Sequence, residues 1–225
     1  MSDAPITLTA VLATRNDERV LGRTIHRALN ECGFDEVIVV DGGSSDNTRQ
    51  VARDFGARVL RSEAIRGRQL DDGWKATTTD LVCFLRPDTV LPSNAGQMIR
   101  QTFRNEAVSL TSFRVGFQSN RPELALLAAW FNFRAIFLGH PTGIQAVTVR
   151  RDDLVALGGL PYWHECEDFY LISNMRRRGI SRTLREHVYI AADRALQKGV
   201  VSMWWDDIRE ALLYTRHKIP SYLRK

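Results

Sequence analysis

The chain offers little cysteine chemistry. Its three cysteines, Cys32, Cys83 and Cys166, make an odd count with no paired spacing. That argues against a disulfide framework and fits a reducing cytosol. Long apolar runs are missing as well. The nearest candidate, Leu124 to Leu138, is broken by Asn132 and Arg134, so no segment suits a bilayer crossing. The opening residues MSDAPITLTAVLA carry no basic cluster ahead of their apolar stretch and read as a first strand, not a signal peptide. Internal repeats, low-complexity segments and long linkers are absent. An acidic excess is absent too. With 31 Lys and Arg against 26 Asp and Glu, the net charge is +5, which favours an anionic partner such as a nucleotide phosphate or an anionic lipid. The cations are scattered, however. The densest cluster, Arg176-Arg177-Arg178, closes a predicted helix before Gly179, where positive charge suits the helix dipole. Nucleic acid is therefore not an expected partner.

What is present is ordinary globular composition, 44% hydrophobic and 25% charged, arranged as alternating strands and helices. Leu8 to Ala13 reads as a strand, and Leu21, Ile25, Ala28 and Leu29 fall on one helical face. A second strand, Val37 to Val40, precedes a helix expected to turn Val51, Ala52 and Phe55 inward. A third strand covers Arg58 to Leu60, a helix Arg68 to Ala76 and a fourth strand Leu81 to Leu85. Such alternation predicts an α/β fold with a doubly wound, mostly parallel sheet and helices on both faces. The second half is less regular. Val108 to Phe117 alternates like a strand with one exposed face, and Leu124 to Leu138 reads as a helix. Strands are expected at Gln145 to Val149 and Arg182 to Ala191, with helices after Asp152 or Asp153 and over Glu167 to Arg178. We expect one domain over residues 1–225, with a nucleotide-binding half at about 1–92 and an acceptor half at about 93–192. An amphipathic helix at about 199–218 follows.

The most informative stretch is EVIVVDGGSSDNT, Glu36 to Thr48. A β-branched strand stops at Asp41, Gly42-Gly43 supply a turn, and Ser44 or Ser45 can cap a helix beginning near Asp46. Ligands bind at the carboxyl ends of strands in open α/β sheets. Asp46 and Thr48 suit a first helical turn, whereas no local duty is evident for Asp41. Four further groups could carry chemistry. Arg15-Asn16-Asp17-Glu18 follows the first strand, with Asn16 as an ordinary helix cap. Arg66-Gly67-Arg68 reads as a loop that could grip a diphosphate, or as two solvated arginines. Asp88 lies just past the fourth strand in FLRPDTVLP, where a lone carboxylate plus phosphate oxygens could hold Mg²⁺ or Mn²⁺. Glu167 and Asp168 in HECEDFYL open a helix, and one of them could take a proton from a hydroxyl. His164 and Cys166 nearby lack the second spaced pair that a zinc site would need.

In this order the groups resemble a family 2 glycosyltransferase of the GT-A fold, from about Thr7 to about Ala192. The likeness is to small bacterial transferases with a VDGGSSD motif, here VVDGGSSDNT, followed by Arg66-Gly67-Arg68, Arg86-Pro87-Asp88-Thr89, Gly143-Ile144-Gln145 and Glu167-Asp168. The resemblance implies an inverting transfer of sugar from a nucleotide-sugar, in this family often a UDP-sugar, to a hydroxyl acceptor. It implies that Asp41, Asp17, Ala13 and Arg15 line the nucleotide pocket and that Arg66 or Arg68 faces the diphosphate. It further implies Asp88 as ligand of a divalent metal, Mg or Mn, and Asp168 as general base with Glu167 behind it.

Three positions depart from the family pattern: Ala13, Arg86 and Ile144. Arg86 counts against the metal. At about 4 Å and an effective dielectric of about 20, it repels by about 4 kcal/mol per unit of metal charge. It could instead pair with Asp88, or itself neutralise the diphosphate. The alternatives are a non-catalytic GT-A-fold protein that binds a nucleotide or a partner, and a nucleotidyltransferase. The latter wants a glycine-rich, lysine-bearing loop after the first strand, which ATRNDERV lacks. Finally, Val201, Trp204, Trp205, Ile208, Ala211 and Leu212 share one side of the last helix, with Arg216, His217, Lys218, Arg224 and Lys225 at or beyond its end. That pairing suits an anionic membrane surface and a lipid-linked acceptor, unless the helix packs on the domain and buries both indoles. The expected location is cytoplasmic, at the inner face of a membrane if this helix docks there.

Overall fold

A computed structural model of the protein describes residues 5–162 and 167–217. Its strands are β1 (Leu8–Thr14), β2 (Glu36–Asp41), β3 (Arg58–Arg61), β4 (Leu81–Leu85), β5 (Val108–Phe117), β6 (Val147–Arg150) and β7 (Ile180–Ile190). They form one seven-stranded sheet in the order β3-β2-β1-β4-β6-β5-β7. Pairing is parallel among β1, β2, β3 and β4 and between β5 and β7, while β6 runs antiparallel to both its neighbours. The sheet is thus doubly wound and mostly parallel, as expected.

The helices are α1 (Glu18–His26), α2 (Thr48–Asp54), α3 (Arg66–Lys75), α4 (Ala95–Phe103), α5 (Pro122–Phe137), α6 (Arg151–Leu157), α7 (Glu167–Arg178), α8 (Asp193–Lys198) and α9 (Val200–His217). Strand periodicity assigns them to faces. Leu8, Ala10 and Leu12 of β1, with Val37 and Val39 of β2, join one core that includes Leu21, Ala52, Ile99 and Leu124 of α1, α2, α4 and α5. Val11 and Ala13, with Ile38 and Val40, join a second core with Leu70 and Trp74 of α3 and Leu171 and Ile172 of α7. A strand covered on both faces must be apolar at every position, and this is why β2 reads as an unbroken Val-Ile run.

Several local expectations are corrected. Phe55 does not point inward; it follows the end of α2, 43% exposed, with its ring against Gly22. β5 has no continuously exposed face, because α4, α5 and α7 pack against it. The Arg66-Gly67-Arg68 group is not a loop but the first turn of α3. Neither Ser44 nor Ser45 caps α2, which starts at Thr48 after Asn47. Asn16 is not a helix cap either. Its φ of +57° places it in the left-handed region, and Asp17 precedes α1 instead.

The last helix is held by a buried charge pair that its apolar pattern did not reveal. Asp207 accepts from Arg134 of α5 and, at 2.9 Å, from the Trp130 indole N–H. This contact turns Asp207 inward and leaves Trp204 39% and Trp205 61% exposed, so the two indoles are not buried. Trp204 meets Trp130 edge-on at 6.0 Å, and Phe133 and Phe137 extend the aromatic surface along α5. Lys218, Arg224 and Lys225 lie outside the described residues, and of Arg216 and His217 only the backbone is described. Among the described residues, no helix is long and apolar enough to cross a membrane.

The tightest contact between helix and sheet is at Gly73 of α3. A Cβ there would lie 2.4 Å from Val11 Cγ1 and 3.0 Å from Val40 Cγ2. Gly73→Ala gains about 1 kcal/mol of helix propensity but incurs about 1–3 kcal/mol of overpacking. The expected result is a lower midpoint in urea unfolding; an unchanged or higher midpoint would show that α3 can retreat without loss.

Candidate active site

The carboxyl ends of β1, β2 and β4 open onto one edge of the sheet, and three loops leave from it. β1 lies between the other two, so Asp41 and Asp88 end strands that flank it, not strands that touch. The edge is shaped by α3. Gln69 donates from Nε2 to Thr14 O, the last carbonyl of β1, at 3.0 Å and to Val40 O, one residue short of the end of β2, at 2.8 Å. That bond sets the start of α3, and with it Arg66, over the strand ends.

Asp41 is not free of local duty. It is 1% exposed and accepts from the Ser44 backbone N–H and hydroxyl, and from Arg49 Nη1 at 3.0 Å. Ser44 Oγ in turn accepts from the Asn16 N–H, and Asn16 Oδ1 accepts from the Ser45 N–H. The first two loops are thus one hydrogen-bonded unit. Asp17 is 6% exposed, accepts from the Arg15 N–H at 3.0 Å and donates its own N–H to Thr48 Oγ1. The Arg15 side chain is exposed, and Ala13 is buried beside Val40. Asp46 lies ahead of α2, not in its first turn as expected, and instead receives the N–H groups of Glu18 and Thr48. Arg49 was missed because nothing in its spacing marks it as the partner of Asp41.

The second cluster brings distant residues together. Arg66 Nε donates to Glu167 Oε1 at 2.6 Å, and its Nη2 lies 3.9 Å from Asp168 Oδ1. Burial opposes the Arg66 charge, but the carboxylates of Asp168, Glu167 and Asp88 outweigh it and raise its pKa. Asp88 is therefore close enough to be part of the same field. Burial, and then the Asp168 charge, push Glu167 up to about 8, against the downward pull of Arg66. Asp168 is more open, with a side chain 31% exposed. Its carboxylate lies directly over Gly143, where a Cβ would come within 2.0 Å of Oδ2. Gly143 is held in place by Gln145, which accepts from the Thr142 N–H at 2.9 Å and donates to Phe113 O at 2.9 Å. These contacts give Gly143 and Gln145 of the Gly-Ile-Gln group physical reasons; Ile144 packs against the core.

Arg68 does not join this cluster. It pairs with Glu63 at 2.7 Å and lies over the Tyr162 ring, because position 68 faces a different side of α3 from position 66. His164 and Cys166 lie outside the described residues.

Asp88 occupies a rigid turn. The Thr89 N–H donates to Arg86 O, the Arg86 N–H donates to Thr89 Oγ1, and buried Thr24 of α1 donates to Pro87 O at 2.7 Å. Arg86 Nε donates to Asp88 Oδ1 at 3.1 Å. One carboxylate plus phosphate oxygens is enough ligand for Mg²⁺ or Mn²⁺ by count. The donor set nonetheless fits a cation poorly, since one Asp88 oxygen is engaged by a guanidinium and Arg66 adds a second positive field. Among the described residues there is no group of three His, Cys, Asp or Glu side chains able to hold a metal.

The match of a family model decides the affiliation. The model described as glycosyl transferase family 2 covers residues 9–148, more than half of the chain. The chain belongs to glycosyl transferase family 2. A curated relative, an uncharacterized glycosyltransferase of Nostoc sp. (strain PCC 7120), is 28% identical over 109 residues, 45% of this chain and 34% of that protein. The 4,4'-diaponeurosporenoate glycosyltransferase of Staphylococcus aureus (strain USA300) is 38% identical over 53 residues, 24% of this chain and 14% of that protein. The chain therefore matches no more than about a third of these relatives' lengths. Glucosyl-3-phosphoglycerate synthase from Mycobacterium tuberculosis, in complex with Mg²⁺ and UDP, superposes with a TM-score of 0.61 at 24% identity, covering 96% of this chain and 81% of that one. Mannosyl-3-phosphoglycerate synthase from Rubrobacter xylanophilus gives 0.63 at 19% identity, with 96% and 77% covered. These likenesses establish the GT-A fold for this family member.

The raised Glu167 pKa has a consequence for stability. Between the ordinary value of 4.5 and about 8, the folded chain holds a proton that the unfolded chain has lost. The contribution is complete below the unfolded value and is lost as pH rises through the folded one. Glu167→Gln removes this dependence. Urea unfolding at pH 5 and pH 8 should show wild type losing more stability than the variant over that interval; parallel losses would mean that Glu167 stays ionised beside Arg66.

Proposed function

We propose that this chain is a single GT-A unit that transfers a sugar from a UDP-sugar to a hydroxyl acceptor with inversion, and that the Arg66–Glu167–Asp168 cluster beside Asp88 is its reacting centre. The carrying observation is that Arg66, in the first half of the chain, is paired with Glu167 and lies beside Asp168. The small transferases with a VDGGSSD motif provide the pattern. In the donor pocket, Asp41, Asp17, Ala13 and Arg15 hold the base and ribose. The UDP-sugar reading is supported by a neighbour of the same fold, the Mycobacterium tuberculosis synthase, crystallised with Mg²⁺ and UDP and also with Mn²⁺ and UDP-glucose.

Asp168 is the better general base of the two acids, because its carboxylate is partly open while Glu167 is buried against Arg66. The acceptor's hydroxyl proton passes to Asp168, and its oxygen forms the new bond to the anomeric carbon. The bond from that carbon to the diphosphate oxygen breaks, and the electron pair leaves with the nucleotide. Arg66 faces the developing charge, a positioned cation in a partly desolvated site. Glu167 keeps Arg66 in place and is a positioning residue. Arg68 is not needed for this step.

A lipid-linked acceptor is favoured by the aromatic surface of α5 and α9, where Phe137 is 72% and Trp205 61% exposed. Flotation with vesicles containing anionic lipid should carry the wild type upward and should fail for Trp205→Ala; equal behaviour on neutral vesicles would point to apolar contact alone.

Catalysis is tested at Asp168. Asp168→Asn should bind UDP within about threefold of wild type and lower donor hydrolysis or transfer by roughly 10²-fold or more. Unchanged turnover with UDP binding intact would remove Asp168 as the base. Absence of turnover in wild type across UDP-sugars, with UDP bound, would favour a non-catalytic binding role.

A further inference from the structure

We propose that Arg86, acting with Arg66, neutralises the donor's diphosphate in place of a divalent cation, so that the nucleotide binds without metal; this rests on the UDP-sugar reading above. The argument starts from where Arg86 stands. Its guanidinium is bonded to Asp88, the carboxylate that a metal would need, at 3.1 Å. Both side chains are largely shielded, 20% exposed for Arg86 and 6% for Asp88. A pair withdrawn from water is hard to break from one side, because the partner left behind is a buried, unpaired charge. A metal would have to displace Arg86 from the oxygen and then remain beside it.

The turn leaves little room for such an exchange. Thr24 holds Pro87 O and Thr89 holds the Arg86 N–H. The backbone that carries Asp88 is therefore fixed at the strand end. The proline between the two side chains also limits how far the backbone can separate them.

Guanidinium supplies what the metal would otherwise supply at this point. It is permanently charged and planar, and its N–H fork matches paired phosphate oxygens. Arg66 approaches the same carboxylate from α3, close enough for Asp88 to stabilise its charge. Arg86 is held on Asp88, and Arg66 is held beside it on Glu167 and near Asp168. An arriving diphosphate, richer in oxygens and charge than Asp88, would draw both toward itself, and Asp88 would then hold Arg86 in orientation.

The experiment is calorimetric titration of UDP into the full chain, in EDTA and again in MnCl₂. Wild type should bind with dissociation constants within about threefold of each other. Arg86→Gln keeps a donor for Asp88 but removes the charge. It should bind UDP at least tenfold more weakly in EDTA and recover affinity in MnCl₂. Arg86→Asp should show the same metal requirement more steeply, and thermal melts confirm that each variant is folded. Wild-type binding that weakens tenfold or more in EDTA would overturn the proposal, as would an Arg86→Gln variant that binds like wild type without metal. If wild type binds none of UDP, GDP, CDP or dTDP in either buffer, the nucleotide-sugar reading falls and this inference falls with it.

Discussion

The ion pair between Arg66 and Glu167 is the contact on which the site depends. It spans 101 residues of sequence and joins the first turn of α3 to the first turn of α7. Neither half of the chain can build the cluster alone. α3 is placed by Gln69 and by the close approach of Gly73 to Val11, and α7 by Leu171, Ile172 and Met175 in the core of that same face. Losing Arg66 would leave the buried Glu167 carboxyl without its hydrogen-bond donor, at a cost of about 1–3 kcal/mol.

A second constraint follows from burying acids at the ends of β2 and β4 and at the start of α7. Asp41, Asp88 and Glu167 are each under 10% exposed, and each has an arginine: Arg49, Arg86 and Arg66. Buried carboxylates need such partners. In the proposed diphosphate site the same arginines have a second use, since phosphate and carboxylate present similar paired oxygens. The fold thus keeps these three cations ordered on acids.

Much of the fold was legible because parallel strands covered on both faces must be apolar throughout. Val37 to Val40 and Leu81 to Leu85 could hardly be read otherwise. Asp41 and Asp88 stood out because a charged residue ends each run. Of the partners, Arg86 was legible, because pairing with Asp88 two residues on was one of the options its position offered. Arg49 looks like a surface cation in the sequence, and only the strand-end geometry brings it onto Asp41. Arg66 and Arg68 are two residues apart, so helical geometry separates them, whereas a loop would not have. The inward turn of Asp207, which leaves Trp205 at the surface, depends on Arg134 far away in the chain. An apolar count along α9 cannot see that contact.

The central claim is that one partly open carboxylate activates an acceptor for direct displacement at the anomeric carbon. The most direct test follows product stereochemistry by proton NMR, with UDP-α-linked sugars as donors and water as the surrogate acceptor. The account predicts that the free sugar first appears as the β-anomer, before mutarotation mixes the two. First appearance of the α-anomer would contradict it, because retention requires a different arrangement of nucleophile and leaving group from the one built around Asp168 and Arg66.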